Sequence, residues 1–242
     1  MITSVENPRV KEVLRLRKAR ERRRAGLFVA EGPREVARAR EAGLTLRATY
    51  FAPSLIDWDE GEEVDERVLR KMSYRAEPEG VLAIVETPHR SLPEQSTLVL
   101  VAVGIEKPGN LGAMARTADA AGADALLVGD ARSDPWSPNA IRASTGAVFT
   151  LPILDVTADD VARLPHRKVA ATVGARTSHT DADYTPPTAF LVGAEDEGLP
   201  DAWRTLAEVH VRIPMRARTV DSLNAGTAAA ILLFEALRQR RG

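Results

Sequence analysis

Four runs in the second half of the chain are apolar at nearly every position: Leu98–Val103, Ala125–Val128, Val169–Val173 and Ala189–Val192. A strand with one wet face alternates polar and apolar side chains, so uninterrupted runs of this length suit strands covered on both faces. Helical patterns separate them, notably Leu111–Ala121 and Ser222–Arg240. Buried strands alternating with helices predict an α/β domain on a mostly parallel sheet, with helices on both faces. Open sheets of this kind bind ligands at the carboxyl ends of their strands, so the loops after the strands are where chemistry is expected.

The chain before these runs reads as smaller elements. The pattern predicts a strand at Leu27–Ala30, a helix from Gly32-Pro33 to about Ala42 stopped by Gly43, and a strand at Leu46–Ala52. A helix near Val64–Met72 and a strand at Val81–Val85 come next. Thr87–Ser96 is polar and holds Pro88 and Pro93, which breaks the pattern. These shifts predict a small α/β domain over residues 1–86, a linker over 87–96 and the larger domain over 97–242.

Charge is unevenly placed. The chain balances 33 Lys and Arg against 34 Asp and Glu, so net charge names no partner. Residues 1–25, however, carry nine cations against three Glu, on a helix predicted over Pro8–Arg24 with Val10, Val13, Leu14 and Leu16 as its apolar stripe. Clustered cations bind nucleic acid by releasing condensed counterions, although a solvated surface helix carries the same charges. Residues 57–66 hold seven acidic groups and no basic one, and are expected to form an exposed loop facing away from any nucleic acid.

Several chemistries are excluded. With no cysteine there is no disulfide framework, thiolate zinc site or Cys nucleophile. His89, His166, His179 and His210 lack metal-ligand spacing, so no metal is expected. No stretch approaches the ~18 apolar residues of a membrane span. Met1–Pro8 lacks the apolar run of a signal peptide, and a cytoplasmic location without membrane contact is the expectation. The phosphate loop GxxxxGK[ST], the GxGxxG fingerprint, the GxSxG elbow and HExxH are all absent.

Three polar, glycine-rich junctions remain at strand ends. The first is Gly104–Arg116, with Asn110 predicted as the helix N-cap and Arg116 two turns further on. The second is Gly193-Ala194-Glu195-Asp196-Glu197-Gly198-Leu199, opening into a short helix near Pro200. The third runs from Ile213-Pro214-Met215 through a polar loop to Ser222-Leu223-Asn224 and a string of small residues. Each alone suits a surface arginine, an acidic turn or tight helix packing. Together, as Asn110-x-Gly112-x-x-x-Arg116, Gly193-x-Glu195-x-x-Gly198-Leu199 and Ile213-Pro214-Met215 followed by Ser222-Leu223-Asn224, they resemble the SPOUT methyltransferases, in the TrmH/SpoU branch that methylates ribose 2′-hydroxyls of RNA. That likeness spans 97–242. The first domain, through Asn7-Pro8-x-Val10-Lys11 and Phe28-Val29-x-Glu31-Gly32, resembles the L30e-like substrate-binding domain of rRNA-modifying members. The loop 216–221 departs from the pattern: it is about one residue longer than is usual in the family and lacks a common glycine.

The resemblance implies a deep trefoil knot, a homodimer with active sites near the subunit interface, and S-adenosylmethionine as cofactor. Cofactor contacts are expected at Thr172, Val173, Gly174, Gly193, Ile213, Met215, Leu223 and Ala228. Arg116 is expected to activate the ribose hydroxyl, with Asn110, Glu195, Ser222 and Asn224 fixing the arginine and the sugar. Arg9, Lys11, Arg22, Arg23 and Arg24 are the expected RNA contacts, with rRNA favoured over tRNA. A base-methylating relative, a catalytically silent RNA-binding dimer and an α/β enzyme using another nucleotide stay open at this point.

Overall fold

Strand β5 (Leu98–Val103) is buried along its whole length and lies third in a seven-stranded sheet. A computed structural model describes residues 1–216, 219 and 221–241; half of the loop 216–221 therefore lies outside the described residues. The sheet also contains β6 (Ala125–Gly129), β7 (Ile153–Val156), β8 (Arg167–Ala171), β9 (Thr177–Ser178), β10 (Thr188–Val192) and β11 (Val209–Arg212). Its order is β7-β6-β5-β10-β8-β11-β9, and every pairing between its strands is parallel. The fold is α/β, built on a parallel sheet. Alternation along β5 sends Val99, Val101 and Val103 to one face, in a core with Val161 and Trp203. Those two come from α8 (Ala158–Ala162) and α9 (Asp201–Arg204). On the other face α5 (Pro108–Ala120) packs on β5 and β6, and α10 (Ala225–Arg240) packs on α5 and β10. Each fully buried Leu or Val contributes about 1.5–3 kcal/mol, which is why these runs dominate the fold.

The smaller sheet has the order β1-β4-β2-β3, from β1 (Leu27–Glu31), β2 (Leu46–Phe51), β3 (Glu62–Glu63) and β4 (Val81–Glu86). Around it lie α1 (Pro8–Arg15), α2 (Ala19–Ala25), α3 (Pro33–Glu41) and α4 (Glu66–Met72). The predicted helix over Pro8–Arg24 is therefore two helices. The chain turns at Leu16, and the Arg22 guanidinium comes back to donate to the carbonyls of Leu16 (2.8 Å) and Arg17 (2.9 Å). The acidic stretch, expected as an exposed loop, contains the short strand β3, and its Glu62 pairs with Arg9 of the basic helix.

The chain divides into two compact units, Met1–His89 with Trp136–Thr150, and Arg90–Pro135 with Leu151–Gly242. The inserted stretch carries α6 (Pro138–Ser144) and α7 (Ala147–Thr150). It joins the first unit through Trp136 and Phe149, whose rings stack on Phe28 at 5.0 and 5.8 Å. Among the described residues no helix is long and apolar enough to cross a membrane.

Candidate active site

The strand order sets β5, β10, β8 and β11 side by side, so their carboxyl ends converge. After β5, Gly104 takes φ +65°, a backbone conformation that favours glycine, and α5 starts at Pro108. Lys107, not Asn110, is the N-cap: proline pre-sets the first helical position, which draws Asn110 into the first turn. Released from capping, the Asn110 side chain donates from Nδ2 to Glu195 Oε1 at 2.9 Å.

Glu195 stands on the turn after β10. Gly193 is required there by close approach: a Cβ would lie 2.2 Å from the Gly198 carbonyl carbon and oxygen. The turn closes with the Gly198 amide donating to the Ala194 carbonyl at 2.9 Å. Asn224 caps α10 by accepting from the Thr227 amide at 3.3 Å, while its own Nδ2 donates to Asn110 Oδ1 at 3.1 Å and also to Glu195. The Ala225 amide adds a further bond to Glu195 at 3.3 Å. This helix start lies against α5, and a Cβ at Gly226 would press on the Asn224 side-chain oxygen at 3.2 Å. Burial pushes the Glu195 carboxyl up, but bonds from the Ala225 amide, the Lys107 ammonium and Asn110 outweigh it and hold it below the usual carboxylate range. One carboxylate thus gathers donors from two other junctions.

Beside this cluster, a cavity of about 210 Å³ opens over the ends of β8, β10 and β11. Thr172, Val173, Gly193, Ile213, Met215, Leu223 and Ala228 line it, as do Glu195 and Ser222. Gly174 does not; it lies in an adjoining open hollow with Arg204 and His210. Val192, Leu199, Val211 and Ala225, unassigned from sequence, complete the apolar wall. They are the strand and helix positions next to the motif residues, which is the signal that would have found them. Among the described residues the lining has one carboxylate and no cation. That donor set suits a nucleoside bearing a positive charge and disfavours one bearing phosphates.

A second cavity of about 140 Å³ shares Ala194, Glu195 and Ala225 with the first, and is also lined by Glu106, Lys107, Asn110, Asp196 and Glu197. Arg132 spans its lip, 2.8 Å from Glu106 and 3.0 Å from Glu197. Lys107 and Arg132 were not identified from sequence. Arg116 lies outside both cavities. It is exposed on α5 and, among the described residues, makes no hydrogen bond or ion pair. Six residues from Asn110, it projects about 120° away from it round the helix. Among the described residues no group of three or more His, Asp or Glu could hold a metal.

The expected RNA contacts separate into three kinds. Arg23 and Arg24 are exposed on α2. Arg9 and Lys11 are exposed but paired, with Glu62 and Glu6. Arg22 is only 5% exposed and holds backbone carbonyls, so it belongs to the fold and is unavailable to phosphates.

Residues 97–234 match the SpoU rRNA Methylase family, and residues 7–83 match the MRM3-like substrate binding domain. A 23S rRNA (uridine(2479)-2′-O)-methyltransferase of Streptomyces viridochromogenes is 34% identical over 90% of this chain and 85% of its own. A crystal structure of an RNA 2′-O ribose methyltransferase superposes with a TM-score of 0.86 at 42% identity, covering 100% of this chain and 99% of that one. The SpoU methyltransferase AviRb from Streptomyces viridochromogenes, in complex with AdoMet, gives 0.87 at 32% identity, over 98% and 99% of the two chains. A parallel sheet, three converging junctions and an apolar cavity at the strand ends agree with these matches: the chain belongs to the SpoU rRNA methylase family.

Proposed function

We propose that this protein transfers a methyl group from S-adenosylmethionine to a ribose 2′-hydroxyl of ribosomal RNA, as a cytoplasmic homodimer with the knotted family fold. Residues 1–86, with 136–150 packed into the same unit, form the RNA-binding domain in this reading, and the remainder of 97–242 the catalytic one. The observation that carries it is the Asn110–Glu195–Asn224 cluster standing at the edge of an apolar cavity with a single negative charge. A dinucleotide or nucleoside triphosphate would bring phosphates to a wall that, among the described residues, holds Glu195 and no cation; a sulfonium nucleoside brings a positive charge instead. When bound, S-adenosylmethionine supplies an electrophilic methyl group on sulfur.

The chain's own residues bind, orient and polarise. Ile213, Leu223 and Gly193 offer backbone polar groups at strand and loop ends, while Val192, Leu199 and Val211 give an apolar floor that excludes water. Glu195, kept ionised by its donors, locks Asn110 and Asn224 in place, and both amides then present fixed polar groups towards the sugar. A guanidinium has donors and no acceptor, so Arg116 acts by pairing with a substrate phosphate and stabilising charge that develops on the 2′-oxygen, not by taking the proton. Its lack of an intrachain partner among the described residues leaves its donors free for that role. The homodimer draws support from Phe234, 47% exposed on the same α10 that begins at the site.

The test is Arg116→Ala, measured by methyl transfer to total RNA and by cofactor titration. Loss of most turnover with cofactor affinity unchanged is expected. Wild-type turnover would remove Arg116 from the mechanism, and failure of the wild-type protein to bind S-adenosylmethionine would remove the methyltransferase reading itself.

A further inference from the structure

Tyr74 is an anomaly in the first unit. It is 50% exposed, where most large apolar and aromatic side chains are buried. Yet the backbone beneath it is held with unusual care. Glu31, a carboxylate only 6% exposed, accepts from the Tyr74 amide at 2.8 Å, from the Arg75 amide at 3.3 Å and from the Ser73 hydroxyl. Arg17 reaches from the α1–α2 turn to the carbonyls of Lys71, at 2.8 Å, and Ser73. A buried carboxylate is costly unless its bonds are satisfied, and here they all serve the segment that presents one exposed ring. Folding alone does not need that ring: it is not part of the apolar core of this unit.

The neighbourhood is suited to a nucleotide. Tyr74 and Arg75 line a small hollow with Asn139 and Arg142 of α6; its two carboxylates, Glu31 and Glu35, are engaged by the Tyr74 and Arg75 amides and by the Arg75 guanidinium. Arg142 is exposed and, among the described residues, bonds only to Asn139, at 3.4 Å. Lys71 and Lys18 are exposed on the segments that Arg17 ties together. The acids nearest in sequence, Glu77 and Glu79, are already paired with Arg70 and Arg75. A ring to stack on, a guanidinium with donors to spare for phosphate and an amide for a base edge are what an unpaired nucleotide requires.

We propose that Tyr74, with Asn139 and Arg142, is a stacking platform for one unpaired nucleotide of the RNA substrate. The proposal rests on the reading of the chain as an RNA methyltransferase and adds that the first unit grips single-stranded or looped RNA, not duplex alone. The ring supplies sequence-tolerant affinity, because every base has a π face.

The test uses the full chain, a short unstructured fluorescein-labelled oligoribonucleotide, and a blunt RNA duplex of the same length at the same salt. Tyr74→Ala and Tyr74→Leu should weaken single-strand binding by about 5- to 150-fold, the range for loss of one stacked base. Tyr74→Phe and Tyr74→Trp should retain it, and duplex binding should be unchanged in all four. Cofactor titration and methylation of total RNA on the same samples report folding and the methyltransferase reading separately. Equal single-strand affinity for Tyr74→Ala and wild type, or an equal loss on the duplex, overturns the platform and leaves that reading standing. A wild-type protein that binds cofactor but neither RNA also overturns the platform. One that binds neither RNA nor cofactor overturns both.

Discussion

Gly193→Ala turns the geometry of the site into a measurable cost. The added Cβ would stand 2.2 Å from the carbonyl carbon and oxygen of Gly198 and 2.5 Å from the Leu199 nitrogen. Ordinary contact begins near 3.4 Å, so the turn must open by the difference between 3.4 and 2.2, about 1.2 Å. All three obstructing atoms are backbone, and no side chain can swing aside. An opening of that size, carried to Glu195 two residues on, takes its 2.9 Å bond to Asn110 beyond useful hydrogen-bond length. Overpacking of this kind costs about 1–3 kcal/mol, which at about 2–4 °C per kcal/mol for a chain of this size lowers Tm by about 2–12 °C. A misplacement near 1 Å at a positioning group costs about 100-fold in rate. Calorimetric melting, S-adenosylmethionine titration and methyl transfer to total RNA read the three effects. Gly109→Ala is the control, since nothing lies within 4 Å of its Cβ in the first turn of α5. If Gly193→Ala melts and turns over like the wild type, the turn is pliable and the argument from close approach fails.

Further outcomes separate folding from function. Bonds from Arg238 hold the Glu235 carboxyl down at about 2, against the opposing effect of burial and with help from Gln239. A depressed carboxylate stabilises fully above its ordinary value near 4.5 and loses that contribution as pH falls towards 2, so Tm should drop across this window and Glu235→Gln should flatten the drop. In the first unit, Arg22→Ala leaves two helix-end carbonyls unpartnered and should cost about 1–3 kcal/mol in thermal melting, with the salt slope of RNA binding unchanged. Arg23→Glu with Arg24→Glu should do the reverse, keeping Tm and flattening that slope by at least about two, one for each lost phosphate contact.

Legibility tracks burial. β5 is readable to the residue because all six positions are apolar, and β6 and β10 nearly so. β11 escapes a reading by pattern because it is half-exposed and mixes His210 and Arg212 with valines, and β7 because it sits half-exposed at the sheet edge. The break between α1 and α2 carries neither Pro nor Gly; what stabilises it is Arg22 reaching back to Leu16, a tertiary bond with no local signature. Asn110, Glu195 and Asn224 are legible only because their three patterns occur together. Their contact spans separations of 85 and 29 residues, and the strand order that creates it is not written in any one segment. Lys107, Arg132 and Tyr74 look like ordinary surface residues until the loops carrying them are placed.

The distribution of charge explains why such a protein needs its first unit. Around the cavity beside Glu195, four carboxylates (Glu106, Glu195, Asp196 and Glu197) stand against Lys107 and Arg132, and Arg132 is already engaged by two of them. A polyanion gains little there, because each phosphate brought to that lip meets more acceptors than donors. Under the proposed function, affinity for RNA then comes from surfaces rich in exposed cations, such as Arg15, Lys18, Arg20, Arg23 and Arg24. The acidic lip discriminates among the parts of a bound nucleotide: it tolerates a sugar with hydroxyl groups to donate and resists a phosphate in the same place. If the first unit binds RNA as proposed, binding by one unit and selection by the other let a single ribose be presented without the whole backbone being drawn into the cavity beside Glu195.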